Sequence, residues 1–235
     1  VTVTYPDGSS ETVDVPVTVK DVTGPTITAD GATVTRNEPI TPIPVNVADN
    51  EGGRGLREEN PVEVTGLPDG LTYANGEITG TPAKTAEKGD YTVTIKATDK
   101  DGNSTEKQIT ITVQTQADKY TPTGDSLKVD QGHTITDDEV TGKVKDKGPG
   151  ELTVTSTPST STFGDAGNAI VKVTYPDGST DEVKVPVTVS DVTGPKVTAD
   201  GATVTKNEPI TPIKVTVKDN EGGRGLREEN PVEVT

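Results

Sequence analysis

In the stretch "VKVTYPDGSTDEVKVPVTV" (171–189) every second position is apolar: Val171, Val173 and Tyr175, then Val183, Val185, Val187 and Val189. A period of two sends alternate side chains to opposite faces, so the pattern predicts a half-buried β-hairpin with one wet face. "PDGS" supplies the turn, with Pro presetting φ, Asp bonding its own backbone and Gly accepting φ > 0. The same hairpin stands 170 residues earlier, with Val1, Val3, Tyr5, Val13, Val15, Val17 and Val19 as its apolar set.

The repeat extends further. Residues 1–65 align without a gap on 171–235 with 12 differences. In the hairpin they include Thr2/Lys172, Thr12/Glu182, Asp14/Lys184 and Lys20/Ser190, all on the polar face. Ile43, Val45 and Val47 are framed the same way by Pro44/Lys214, Asn46/Thr216 and Ala48/Lys218. Core positions keep their apolar character while wet positions vary, as half-buried strands require. Pro16 and Pro186 remove a ladder donor, which predicts an edge strand.

Between the repeats, strand patterns fall at Thr26–Ala29, Thr41–Ala48, Val62–Thr65, Leu71–Tyr73, Glu77–Gly80, Asp90–Thr98 and Glu106–Val113. Seven short strands separated by turn signals suggest an immunoglobulin-like sandwich. No helix is strongly indicated; a helical turn in "TDDEVTGKV" is opposed by Val140 and Thr141. The expected fold is all-β: tandem immunoglobulin-like β-sandwich modules in an elongated array. Four segments are expected: 1–20 and 116–190 from one module type, 21–115 and 191–235 from another. The chain thus reads as a slice of an alternating array.

Composition narrows the class. Only 28% of residues are hydrophobic and 3% aromatic, which favours several small Val/Ile cores over one large one. The net charge of −16 argues against a nucleic-acid surface. It favours solubility and supplies oxygen ligands for hard cations. Cysteine is absent, so there is no disulfide framework or thiolate metal site. No stretch is apolar enough to span a membrane.

"KYTPTGDSLKVDQG" (119–132) with "YPDGSTDEVKVPVTV" (175–189) resembles the Rib/alpha-like repeats of Gram-positive cell-wall surface proteins. "VEVTGLPDGLTYANGEITGTP" (62–82) with "GDYTVTIKATDKDGNSTEKQITITV" (89–113) resembles the Ig-like and cadherin-like repeats of the same proteins. The resemblance covers essentially the whole chain. It implies an extracellular, wall-anchored adhesin stalk similar to biofilm-associated surface proteins, with the anchor and the export signal outside these residues.

Catalysis finds no support. The single histidine, His133, lies in the polar turn "DQGHTITDD", where a surface or capping role fits best. The sharper candidate is a calcium site. In an immunoglobulin-type sandwich the lead-in "DVTGP" (21–25), the loop "ADNEGG" (48–53) and the loop "TDKDGN" (98–103) meet at one end. Asp21, Asp49, Asn50, Glu51, Asp99, Asp101 and Asn103 are the candidate ligands, since calcium takes six to eight oxygens at about 2.3–2.6 Å. The plainer reading is that Asp, Asn and Gly gather in loops because they make turns. "GRGLREEN" (53–60) has two readings, a partner-binding loop or solvated surface. "TSTPSTSTFGDAGN" (155–168) reads as a linker, with Phe163 a candidate core plug.

The resulting expectation is a non-enzymatic surface repeat. It acts as a stalk whose partners are neighbouring modules of the same chain. The alternative is homophilic cell–cell adhesion supporting biofilm growth, through self-association between cells.

Overall fold

The computed structural model describes residues 1–229 and 231–233. Residues 230, 234 and 235, at the end of the expected 191–235 segment, lie outside the described residues. Two compact units emerge, Val1–Gln114 and Thr115–Thr235. The described secondary structure is almost all β.

In the first unit the strands are β1 (Thr2–Thr4), β2 (Ser10–Thr12), β3 (Thr26–Thr28), β4 (Ala32–Thr35), β5 (Ile43–Pro44), β6 (Asn46–Ala48), β7 (Val62–Thr65), β8 (Leu71–Ala74), β9 (Glu77–Gly80), β10 (Gly89–Thr98) and β11 (Ser104–Gln114). One sheet has the order β4-β11-β10-β7, and the strands facing it pair as β5-β9-β8 and β3-β6. The long β10–β11 hairpin points Val93, Ile95, Ala97, Ile109, Ile111 and Val113 inward. Ile27, Ile43, Val45, Leu71 and Ile78 pack onto them from the opposite side.

Two features of this sandwich depart from the sequence reading. The expected strand Thr41–Ala48 breaks at Val45: β5 pairs with β9 in one sheet and β6 with β3 in another. The Val45 amide turns aside to donate to the Gly76 carbonyl at 2.7 Å. And β4, absent from the reading, pairs in parallel with the end of β11. Its four residues after Gly31 are too few to establish a period.

The second unit contains α1 (Gln116–Lys119), β12 (Thr123–Gly124), β13 (Leu127–Asp130), α2 (Asp137–Thr141), β14 (Val144–Lys145), β15 (Glu151–Ser156), β16 (Gly164–Thr174), β17 (Thr180–Ser190), β18 (Lys196–Ala199) and β19 (Val215–Lys218). Its main sheet, β13-β17-β16-β15, repeats the plan of the first. A long antiparallel hairpin lies in the middle, with a short strand parallel to its last arm. Val171, Val173, Val185, Val187 and Val189 are fully buried. Pro186 therefore lies in an interior strand rather than at an edge. It is tolerated because the parallel ladder to β13 begins one residue later, at Val187.

The PDGS turn does more than reverse the chain. Asp177 accepts from the Ser179 amide at 2.9 Å, which closes the turn. It also exchanges two hydrogen bonds with Gln116, at 2.8 and 2.9 Å, and both residues are buried. The start of the module is thereby clamped onto its hairpin, and Tyr120 stacks on Tyr175 at 5.7 Å.

Both short helices carry capping boxes, Thr115 with Asp118 and Thr136 with Glu139. This Thr-x-x-acid signal outweighs the poor helix propensity of Val140 and Thr141. Val140 is fully buried, so packing adds to the cap. Glu139 also accepts from His133, at 3.0 Å. Hydrogen bonds from the Thr136 amide and then from His133 hold the Glu139 carboxyl down to about 2, against an ordinary 4.5.

The hairpin copies contrast. Val185 is fully buried, whereas its repeat partner Val15 is 61% exposed, with no second layer over it among the described residues of its unit. Val185→Ala is expected to cost roughly 2–3 kcal/mol by denaturant unfolding, from lost methyl burial plus the cavity left behind. Val15→Ala is expected to cost less than about 0.5 kcal/mol. A second expectation concerns acid. A depressed carboxyl contributes stability that is complete above its unfolded pKa of 4.5 and is lost as pH falls toward about 2. Glu139→Gln should flatten the fall in melting temperature across that window. An unchanged slope would contradict this account of the cap.

Candidate metal centre

Three backbone segments converge at one end of the first unit. Asp21 lies ahead of β3, Asp49 follows β6, and Asp99 follows β10. Each of the three carboxyl groups offers an oxygen, and these oxygens lie within 4.8 Å of one another. Asp99 is 2% exposed. Its burial works against the charge, but hydrogen bonds from Asn103 and from the Gly102 and Asp101 amides prevail and hold the carboxyl below its ordinary range.

Local turn chemistry aims each acid. Asp21 Oδ1 accepts from the Thr23 amide at 2.9 Å. Asp49 Oδ2 accepts from the Gly55 amide at 2.7 Å. Asp99 accepts from the Asn103 amide and from the Asn103 side chain, both at 2.8 Å. One oxygen on each of three side chains is left over: Asp21 Oδ2, Asp49 Oδ1 and Asn50 Oδ1 are buried without any hydrogen-bond partner. Buried acceptors ordinarily find donors, so three orphans in one place require an explanation. Gly53 closes the same spot, since a Cβ there would stand 2.3 Å from Asp49 Oδ2 and 2.7 Å from Asp21 Oδ2.

The remaining candidate residues are placed differently. The Asn103 side-chain amide donates to the Asp21 carbonyl at 3.1 Å as well as to Asp99. It presents nitrogen to the Asp99 carboxylate and ties it to the Asp21 main chain. Asp101 forms an ion pair with Arg54 at 3.2 Å. Glu51 is exposed, outside the carboxylate trio.

The stretch "GRGLREEN" is exposed at Arg54 and at Glu58 to Asn60, but its middle is paired with the chain around Asp99. The Lys100 amide donates to the Gly55 carbonyl at 2.9 Å and the Arg57 amide to the Thr98 carbonyl at 3.1 Å, around a bridge between Leu56 and Asp99. The loop is zipped onto the acidic segment, a pairing that its sequence did not signal. The donor set is all oxygen and strongly anionic, which suits a hard cation of the calcium type.

Comparison with known proteins supplies the class. Residues 1–21 and 116–191 match the Rib domain, and residues 25–114 match the family described as "Putative Ig domain". The chain is built of the Rib and Ig-like repeats found in Gram-positive surface proteins. These families are surface repeats, not enzymes. Over 243 aligned positions, covering 96% of its length, the chain is 34% identical to the C protein alpha-antigen of Streptococcus agalactiae. It spans only 22% of that relative. Among solved structures, the sialic-acid-binding region of a Streptococcus sanguinis adhesin aligns over 82% of this chain and 55% of its own, at 20% identity and a TM-score of 0.45. A Rib structure from Streptococcus pyogenes aligns over 30% of this chain and 92% of its own, at 30% identity and a TM-score of 0.26. No helix among the described residues is long and apolar enough to cross a membrane.

Three mutually close carboxylates repel one another in the absence of a counter-ion. In EDTA, Asp49→Asn is therefore expected to melt above the unsubstituted chain by thermal denaturation. A lower melting temperature would mean that the carboxylates are stabilised by their surroundings alone.

Proposed function

We propose that this chain is a section of the repetitive stalk of a surface adhesin. The stalk projects a distal binding region from the cell wall, to which the full protein is anchored, and calcium stiffens it at the lead-in to each Ig-like module. The observation that carries the reading is the set of orphaned buried oxygens among Asp21, Asp49 and Asn50, beside the buried Asp99. A cation held there ties the segment leading out of the Rib-like hairpin to two loops of the Ig-like sandwich. Asp21, Asp49, Asn50 and Asp99 provide ligands; Asn103 orients Asp99 and holds the Asp21 main chain, and Gly53 leaves the room. Water and backbone carbonyls complete a shell of six to eight oxygens. The stalk role is supported by the repeat itself, which keeps core positions and lets the wet face vary, and by the surface location of the streptococcal relative.

Binding to the folded state alone stabilises it by about 2.7 kcal/mol when the ligand is at 100 times its dissociation constant. Excess calcium is therefore expected to raise the melting temperature over that in EDTA. Asp49→Asn and Gly53→Ala should abolish the rise. Sedimentation velocity should show monomer with and without calcium. A melting temperature indifferent to EDTA would remove the cation, and reversible calcium-dependent association would replace the stalk with homophilic adhesion.

A further inference from the structure

The acidic loop occurs twice with one sequence, since residues 49–65 and 219–235 are identical. Its two copies have different surroundings. At Gly52, with φ +82°, an added Cβ would meet nothing within 4 Å. At the repeat partner Gly222, with a similar φ of +75°, a Cβ would stand 2.6 Å from the Ser161 carbonyl oxygen, 3.1 Å from Gln131 Nε2 and 3.3 Å from the Thr162 Cα. The loop's own sequence cannot cause that difference; the residues gripping the second copy do.

Two loops of the Rib-like module make the grip. Gln131 follows β13, and Ser161 to Phe163 precede β16. Gln131 Nε2 donates to the Ser161 carbonyl and to the Glu221 carbonyl, each at 2.8 Å. The Phe163 amide donates to the Gly222 carbonyl at 2.7 Å. The Asn220 and Gln131 side-chain amides lie 2.7 Å apart. Arg224 places its guanidinium over the Phe163 ring, 5.8 Å from the centroid. Phe163, the one phenylalanine of the chain, is thus not a core plug: it is 39% exposed and packs under an arginine of the next segment. The gripping loops are themselves joined, through the Gly132 amide to the Thr160 carbonyl at 3.0 Å and the Thr160 hydroxyl to the His133 carbonyl at 2.7 Å.

We propose that Gln131, Ser161 and Phe163 form a docking face for the acidic loop of the Ig-like segment that follows, so that this junction is a specific latch rather than a tether. Two of its hydrogen bonds read backbone, since the acceptors are the main-chain carbonyls of Glu221 and Gly222, while Asn220 and Arg224 add side-chain contacts and the loop's carboxylates are not spent on it. It requires glycine at 222 both for the positive φ and for the close approach. It does not rest on cation binding.

The absence of cysteine allows spin labels at Thr153→Cys on β15 and Thr216→Cys on β19 without background. Pulsed dipolar spectroscopy on the full chain should give a single narrow distance distribution. Gln131→Ala combined with Phe163→Ala should lose it to a broad one, and so should Gly222→Ala, which lies outside the Rib-like core. Glu221→Gln and Gly52→Ala should leave it narrow, the latter carrying the same backbone strain without the contact. Amide-exchange protection at Val185 to Val189 should be retained in every variant. A broad distribution in the unsubstituted chain, or a narrow one that survives both the double substitution and Gly222→Ala, would overturn the proposal.

Discussion

The structure depends on one constraint: too little apolar side chain is available to fill a large interior. With aromatics scarce, each core must be assembled from Val, Ile and Ala presented on alternate positions of long hairpins. β10–β11 does this in one unit and β16–β17 in the other. β-Branched residues suit the task, being stiff at χ1 and well fitted to a pleated surface. The cost is that a hairpin alone buries nothing. Val183 to Val189 are buried where β13 and β16 flank them, whereas Val13 to Val19 carry the same pattern without such neighbours and lie exposed.

Much of the fold was legible because that alternation is long and repeated. The two copies vary mostly at wet positions and keep dry ones apolar, which assigns faces without any structure. Elements held by partners rather than by their own pattern were not legible. β4 and β13 are four residues each and exist because β11 and β17 offer them parallel edges. The break at Val45 follows from two sheets competing for one segment. The helices owe their place to capping boxes, a local signal that residue propensities conceal.

The candidate centre was legible at the level of topology, since sandwich strands alternate direction and bring alternate loops to one end. Side-chain roles were not. Whether Asn103 offers oxygen or nitrogen depends on where Asp99 and the Asp21 carbonyl lie. Whether Asp101 faces inward depends on an arginine 47 positions away. Phe163 looked like buried ballast in a polar stretch, because nothing local marks a residue that packs against a later part of the chain.

The parallel pairing in both units has a mechanical consequence. β13, near the start of its module, runs alongside β17, which ends it, and their directions agree. Tension applied to the two ends of such a module pulls these neighbours past each other lengthwise. The ladder bonds between them are then loaded together in shear rather than peeled one at a time. Ahead of β13, the Gln116–Asp177 clasp meets the same load first. A chain held at one end in flowing liquid would find its resistance there, in a few short strands whose sequence gives little sign of them.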